Sequence, residues 1–151
     1  MILYCDTSAL VKRYVEEEGT AEVDALWDKA IEVATSTVAY AEGMAAFRRK
    51  RREGVLSKRG YACAVAAFDE EHFSFVLVQI SPQLNRIVQR LIGEYPLRGF
   101  DAIHLASALI VKENWTNVVF ACFDKGLNLA ARREGLKMVF EVPVKEPEKP
   151  Y

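Results

Sequence analysis

Cysteine is scarce in this chain of 151 residues: three in all, Cys5, Cys63 and Cys122, with no C-x-x-C pair among them. An odd count without that spacing speaks against a disulfide framework and a thiolate zinc site, and suits a reducing cytoplasm. Long apolar runs are missing too. The longest, AIHLASALIV, is too short to span a bilayer and carries a histidine, so no membrane segment is expected. The opening MILYCDTSAL has neither a basic segment nor a small-residue cleavage site, so no export signal is expected. Neither glycine-rich phosphate cradle, GxGxxG or GxxxxGKS/T, is present, and neither is the G-x-S-x-G elbow of serine hydrolases. A charge of one sign is also lacking: 20 Lys+Arg against 21 Asp+Glu give a net −1, which speaks against a broadly basic nucleic-acid binder.

The balance is uneven along the chain. RRKRREGVLSKR, residues 48–59, holds seven basic residues and one acid, a local +6 that leaves −7 for the remainder. Any polyanion would therefore be held locally. With 51% hydrophobic and 27% charged residues the composition is that of an ordinary globular domain, and the length suits one domain. We place that domain at residues 1–143, with the proline- and charge-rich 144–151 as a frayed tail.

Apolar runs and helical periodicities alternate. MILYC reads as a buried strand, TSALVKRYVEEEG as a helix stopped by Gly19, and TAEVDALWDKAI as a helix opened by Thr20. EVATS reads as a strand, and a helix capped by Ser36 or Thr37 runs to about Arg52. LSKRGYACAVAAFDEEH is a further helix, FSFVLVQI a strand, and Pro82 starts the helix QLNRIVQRLIGEY. A buried helix from DAIHLASALI, the strand NVVFACF, the helix KGLNLAARREG and the strand KMVFEV follow. Strands alternating with helices, with no hairpin signal, predict parallel strands joined by helical crossovers: a three-layer α/β/α sandwich around a central parallel sheet.

Four acids fall at element ends. Asp6 directly follows the first strand and Asp124 the strand NVVFACF; Asp101 opens a buried helix; Glu42 lies a turn inside VAYAEGMAAF, flanked by alanines. Alone, Asp6, Asp124 and Asp101 each read also as a turn or helix cap, and Glu42 as a residue on a packing face. Together they fit a different reading, because ligands in such folds sit beyond the carboxyl ends of the strands, where parallel strands and helix starts share a rim. Converging carboxylates repel, and a divalent cation removes that repulsion; oxygen donors without Cys or clustered His select hard ions such as Mg²⁺ or Mn²⁺. Phosphodiester hydrolysis is chemistry suited to such a centre.

In the order CDTSALVKRYVEEEG, TSTVAYAEGMAAFRRKRREG, LRGFDAIHLASAL and FDKGLNLAARREGLKMV, the chain resembles the PIN-domain ribonucleases, in particular the VapC-like toxins of type II toxin–antitoxin pairs, from Ile2 to about Val142. The resemblance implies a PIN-like fold and an endoribonuclease dependent on Mg²⁺ or Mn²⁺, with RNA as substrate. It places Asp6, Glu42, Asp101 and Asp124 on the family's acidic positions: Asp6 as the central metal ligand with Asp101 and Asp124, and Glu42 holding a second metal or orienting the attacking water. Ser8 falls on a supporting hydroxyl position, or is simply a cap. Cys122 stands where the family often has Thr or Ser, and a thiol is the weaker hydrogen bonder, which leaves one metal or two open. A homodimer and a small antitoxin protein inserting into the cleft are further implications.

Arg49, seven residues beyond Glu42 and about 10 Å along the helix on nearly the same face, is placed to hold an RNA phosphate. Arg98, three before Asp101, could pair with a site carboxylate or a phosphate. Arg48, Lys50, Arg51 and Arg52 read as solvating the helix end, and Lys12 and Arg13 as lying on the outer part of the first helix, facing an antitoxin. His104 reads as a core histidine, and Cys5 and Cys122 as small buried hydrophobes. A haloacid-dehalogenase-like phosphatase would need an Asp where Ser8 stands. The alternative to a nuclease is a catalytically silent PIN-like scaffold that binds RNA or protein.

Overall fold

The structure, a computed structural model, describes residues 1–138. Five strands form one parallel sheet: β1 (Ile2–Cys5), β2 (Glu32–Ser36), β3 (Val76–Val78), β4 (Val118–Ala121) and β5 (Lys137–Met138). Their spatial order is β3-β2-β1-β4-β5, every neighbouring pair parallel. Seven helices lie among the described residues: α1 (Thr7–Lys12), α2 (Thr20–Lys29), α3 (Ala39–Arg52), α4 (Lys58–His72), α5 (Pro82–Glu94), α6 (Gly99–Asn114) and α7 (Lys125–Arg133).

Strand side chains alternate between two cores, as a pleated sheet covered on both faces requires. Leu3, Cys5, Val33 and Val119 face one core, closed by Leu10, Phe47 and Phe68 from α1, α3 and α4. Ile2, Tyr4, Ala34 and Phe120 face the other, closed by Leu84, Leu105 and Leu127 from α5, α6 and α7. Burying each of the larger side chains contributes roughly 1.5–3 kcal/mol before entropy is counted. Cys5 and Cys122 thus lie in different cores, and both are free thiols. The expected sandwich is the one observed. No helix among the described residues is long and apolar enough to cross a membrane.

Several boundaries differ from the sequence reading. The first helix ends at Lys12 rather than Gly19, and residues 13–19 form a turn closed by Gly19 at φ +93°. Thr20 does not cap α2. Its buried hydroxyl points back, accepting from the Glu17 N–H (3.0 Å) and standing 3.0 Å from the Val15 carbonyl. That exchange ties the turn to the helix that follows. A Cβ at position 19 would meet the Phe123 ring at 2.7 Å, so glycine is required there for space as well as for φ. The strand FSFVLVQI shrinks to Val76–Val78. Helix α3 begins at Ala39 after Val38, which supplies no side-chain cap, and the Ser36 hydroxyl accepts from the Val38 N–H at 3.3 Å. The expected strand residues 139–142 and the tail 144–151 lie outside the described residues.

Candidate active site

Strands β1 and β4 are neighbours at the centre of the sheet, in a register that pairs Cys5 with Ala121. The chain leaves β1 toward β2 on one side while β4 lies on the other, the switch point at which such sheets bind ligands. The Asp6 N–H continues the ladder, donating to the Ala121 carbonyl at 3.1 Å. Asp6 and Asp124 therefore emerge side by side on the rim. Each caps the helix that follows: Asp6 Oδ1 accepts from the Ala9 N–H (3.0 Å) and Asp124 Oδ1 from the Leu127 N–H (2.8 Å). The Ser8 hydroxyl also donates to Asp6 Oδ1, at 2.7 Å, and its oxygen accepts from the Phe123 N–H, at 3.2 Å. Ser8 thus links the two rim loops.

Asp101 differs from the expectation of a cap. Arg98, at the N-cap position of α6, makes no side-chain cap bond, and Asp101 is the third residue of the helix. What holds it there is the fold. Burial raises the Asp101 carboxyl above the ordinary range, and the neighbouring Asp124 and Asp6 charges push it the same way, against a partial offset from Arg98. Arg98 stands 3.7 Å away, with its side chain 88% exposed.

Glu42, in the first turn of α3, is held differently. Its Oε1 accepts from the Thr7 hydroxyl (2.8 Å) and faces His104 Nε2 at 2.8 Å. Burial alone would raise this carboxyl, but the bonds to His104 and Thr7 outweigh it and hold Glu42 below its ordinary range. An ionised carboxylate only accepts, so Nε2 carries hydrogen toward it. On the far side of the ring, His104 Nδ1 meets the Tyr4 hydroxyl at 2.9 Å. Burial pushes the Tyr4 phenol well up, so it keeps its proton. His104, 2% exposed, is the satisfied core histidine of the sequence reading, and it is also the group that anchors Glu42. Thr7 and this chain of bonds left no mark on the sequence, since a threonine at a helix start is ordinary.

All four acids line one cleft of about 550 Å³. Ser8, Arg49 and Arg98 line it as expected. Cys122 is buried outside the lining; its sulfur accepts from the Asp124 N–H at 3.2 Å, so it supports the loop and not the cleft itself. Two residues that the sequence reading gave no part in the site, Lys12 on the outer part of the first helix and Lys50 at a solvated helix end, line the cleft together with Glu17. Glu17 bridges them, Oε1 to Lys12 Nζ at 3.0 Å and Oε2 to Lys50 Nζ at 2.6 Å.

Among the described residues, no three acidic, histidine or cysteine side chains are gathered closely enough to cage a metal ion. The donor set nevertheless suits a hard cation: the cleft acids offer oxygen, the one imidazole is committed to Tyr4 and Glu42, and Asp101 carries an electrostatic penalty that a cation would relieve.

Comparison with known proteins places the family and the fold. The sequence matches the PIN domain over residues 3–132. Ribonuclease VapC45 and Ribonuclease VapC49, from two strains of Mycobacterium tuberculosis, are each 31% identical over 137 residues, covering 91% of this chain and 94% of theirs. Among solved structures, FitAcB from Neisseria gonorrhoeae superposes with a TM-score of 0.64 at 15% identity, covering 91% of this chain and 96% of that one. VapBC2 from Rickettsia felis, bound to a promoter DNA fragment, gives 0.62 at 16%, covering 92% and 98%.

Proposed function

Since this chain belongs to the PIN-domain family, we propose that it is an endoribonuclease dependent on Mg²⁺ or Mn²⁺, the toxin of a toxin–antitoxin pair. The observation that carries the reading is the meeting of Asp6, Glu42, Asp101 and Asp124 on one cleft at the switch point of the sheet. The relatives named ribonucleases, 31% identical over most of both chains, support it.

Asp6, Asp101 and Asp124 would hold the cation, with Glu42 beside them. When bound, it would supply an activated water and stabilise the leaving oxygen of the phosphodiester. The protein's share is orientation. Ser8 and the Ala9 N–H fix Asp6 by Oδ1. Thr7 and His104 fix Glu42 by Oε1, so Oε2 takes no part in that anchoring and suits the orientation of a water. Arg49 and Arg98, on the lining, are placed to meet phosphates of the strand. A small antitoxin protein occupying the cleft, a homodimer and a cytoplasmic setting complete the proposal.

The test is incubation of the purified chain with end-labelled structured RNA in Mg²⁺, Mn²⁺ or EDTA, beside Asp6→Asn. Discrete cleavage that needs the metal and vanishes in the variant is expected. Absence of both cleavage and metal binding would sink the nuclease reading and leave a binding scaffold.

A further inference from the structure

Helix α1 ends at Lys12, and α3 carries Lys50 eight residues beyond Glu42, about 12 Å along its axis. The two ammonium groups come from separate helices, yet one carboxylate, Glu17, holds both, an oxygen to each. None of the three is a solvated surface group: their side chains are 14%, 18% and 22% exposed for Lys12, Lys50 and Glu17. Burial would raise the Glu17 carboxyl, but the hydrogen bonds from Lys50 and Lys12 prevail and lower it, so Glu17 is ionised. It has little freedom to withdraw, because its N–H is fixed to the Thr20 hydroxyl and its turn is closed by Gly19 against Phe123. Lys12 Nζ also lies over the Phe123 ring, 4.6 Å from its centroid.

Counting charge and donors shows what this clasp lacks. Two ammonium groups and one carboxylate leave a local +1 on the cleft wall. Each ammonium has three N–H donors, and Glu17 takes one from each. A structural ion bridge would balance its charges; this one is left an anion short of neutrality, on the wall of the cleft that the four acids also line. A group with one negative charge and several acceptor oxygens would complete it.

We propose that Lys12 and Lys50, spaced by Glu17, form a subsite for a backbone phosphate of the RNA strand, beside the one cut at the acids. The proposal rests on the nuclease reading. Glu17 is then a positioning residue: it keeps two like charges together and oriented without cancelling them. The acids repel the same polyanion that must enter, so a fixed cationic site along the wall gives the strand a hold that does not depend on the metal.

The test reads salt dependence of binding, which counts phosphate contacts. A short fluorescein-labelled single-stranded RNA is titrated by anisotropy into Asp6→Asn protein, where the strand stays intact, over a range of salt concentrations. Each lost contact lowers the slope of log K against log[salt] by about 0.7 for single strands. Lys12→Gln and Lys50→Gln each cancel the local +1 and should each lose about that much, and the double variant no more than either, since all three lose the same single contact, whereas Lys50→Arg should keep the parent slope and the surface substitution Lys29→Gln should change nothing. Thermal melts confirm that each variant is folded; if Lys12→Gln fails to fold, the Gln and Arg variants at position 50 decide between them. Parent slopes in both Gln variants, with RNA still cut by the unsubstituted chain, would overturn the subsite and leave the nuclease standing. If the unsubstituted chain neither binds nor cuts RNA, the nuclease reading fails and the subsite with it.

Discussion

Replacing Asp101 with Asn asks whether the cleft carboxylates are placed for catalysis or for folding. The side chain sits in the first turn of α6, where a negative charge gains roughly 0.3–1 kcal/mol from the helix dipole. Its ion pair with the largely exposed Arg98 adds little, in the range of about 0–1 kcal/mol for surface pairs. Against these stand burial and the charges of Asp124 and Asp6, and the raised carboxyl pKa shows that the opposing effects win. Asn keeps the shape and removes the charge. Without metal at neutral pH, Asp101→Asn should therefore melt at or above the parent, by a gain of no more than about 1 kcal/mol, or up to about 4 °C. The sign with pH follows. Because the folded pKa lies above the unfolded one, the unfolded chain ionises first, so the parent's deficit builds as pH rises from the unfolded to the folded pKa. It disappears once pH falls below the ordinary carboxylate range. Adding Mn²⁺ at a hundred times its Kd should stabilise the parent by about 2.7 kcal/mol, or about 5–10 °C, and the variant by far less. The order of stability thus inverts between EDTA and Mn²⁺. Calorimetric melts in both, from acid to neutral pH, provide the check. A variant that melts below the parent in EDTA, or that gains as much as the parent from Mn²⁺, refutes the reasoning.

Three further outcomes rest on other parts of the molecule. Tyr4→Phe keeps the ring stacked on Phe120 but strips His104 Nδ1 of its buried partner, so urea unfolding should show a loss of about 1–3 kcal/mol at unchanged m; a loss below about 0.5 kcal/mol would mean that the nitrogen is otherwise satisfied. Gly19→Ala meets both the positive φ and the Phe123 ring, whereas Gly54→Ala, at φ +76° with open space around it, meets only backbone strain. The first should therefore cost clearly more than the second in thermal melts, where about 1 kcal/mol is expected for the strain alone. Glu134 is drawn below the ordinary range chiefly by Arg90, with help from the Tyr95 hydroxyl, so it stabilises the fold above the unfolded carboxylate pKa and loses that effect as pH falls through its folded value. Since Arg90 is nearly half exposed, Glu134→Gln should cost less than about 1 kcal/mol at neutral pH and nothing in acid, as read from paired melts across pH.

The architecture was legible because period and punctuation agreed: EVATS is a strand from Glu32 to Ser36 as read, and Pro82 starts a helix where it stands. The four acids were legible because strand ends in a parallel sheet share a rim. Contacts between elements were not. Lys50 lies about 80° round α3 from Glu42, which puts it off the site by helical geometry alone, yet its long stem swings toward Glu17. Glu17 itself sat in what looked like the continuation of a helix. The periodicity of VKRYVEEEG is helical, but Thr20 and Lys12 draw that segment into a turn through bonds that only the folded chain brings together. His104 looked like core, and it is core; that its ring also meets Tyr4 of β1 and Glu42 of α3 depends on how α6 lies across the sheet, which no local pattern records.

Two of the four cleft acids are also helix caps, and two are not. That division decides how the site can be lost. Substituting Asp6 or Asp124 by anything but another capping residue unpins the first turn of α1 or α7, at a cost of about 1 kcal/mol on top of any loss of chemistry. Asp101 has no such duty, and its carboxylate is held against repulsion. Given the proposed role of Asp101 as a cation ligand, the path of least resistance for a lineage drifting away from nuclease activity runs through Asp101, where inactivation is expected to come without loss of stability. A descendant that keeps Asp6 and Asp124 but not Asp101 would carry the frame of the site without its function, and the presence of the two caps would say nothing about whether it still cuts.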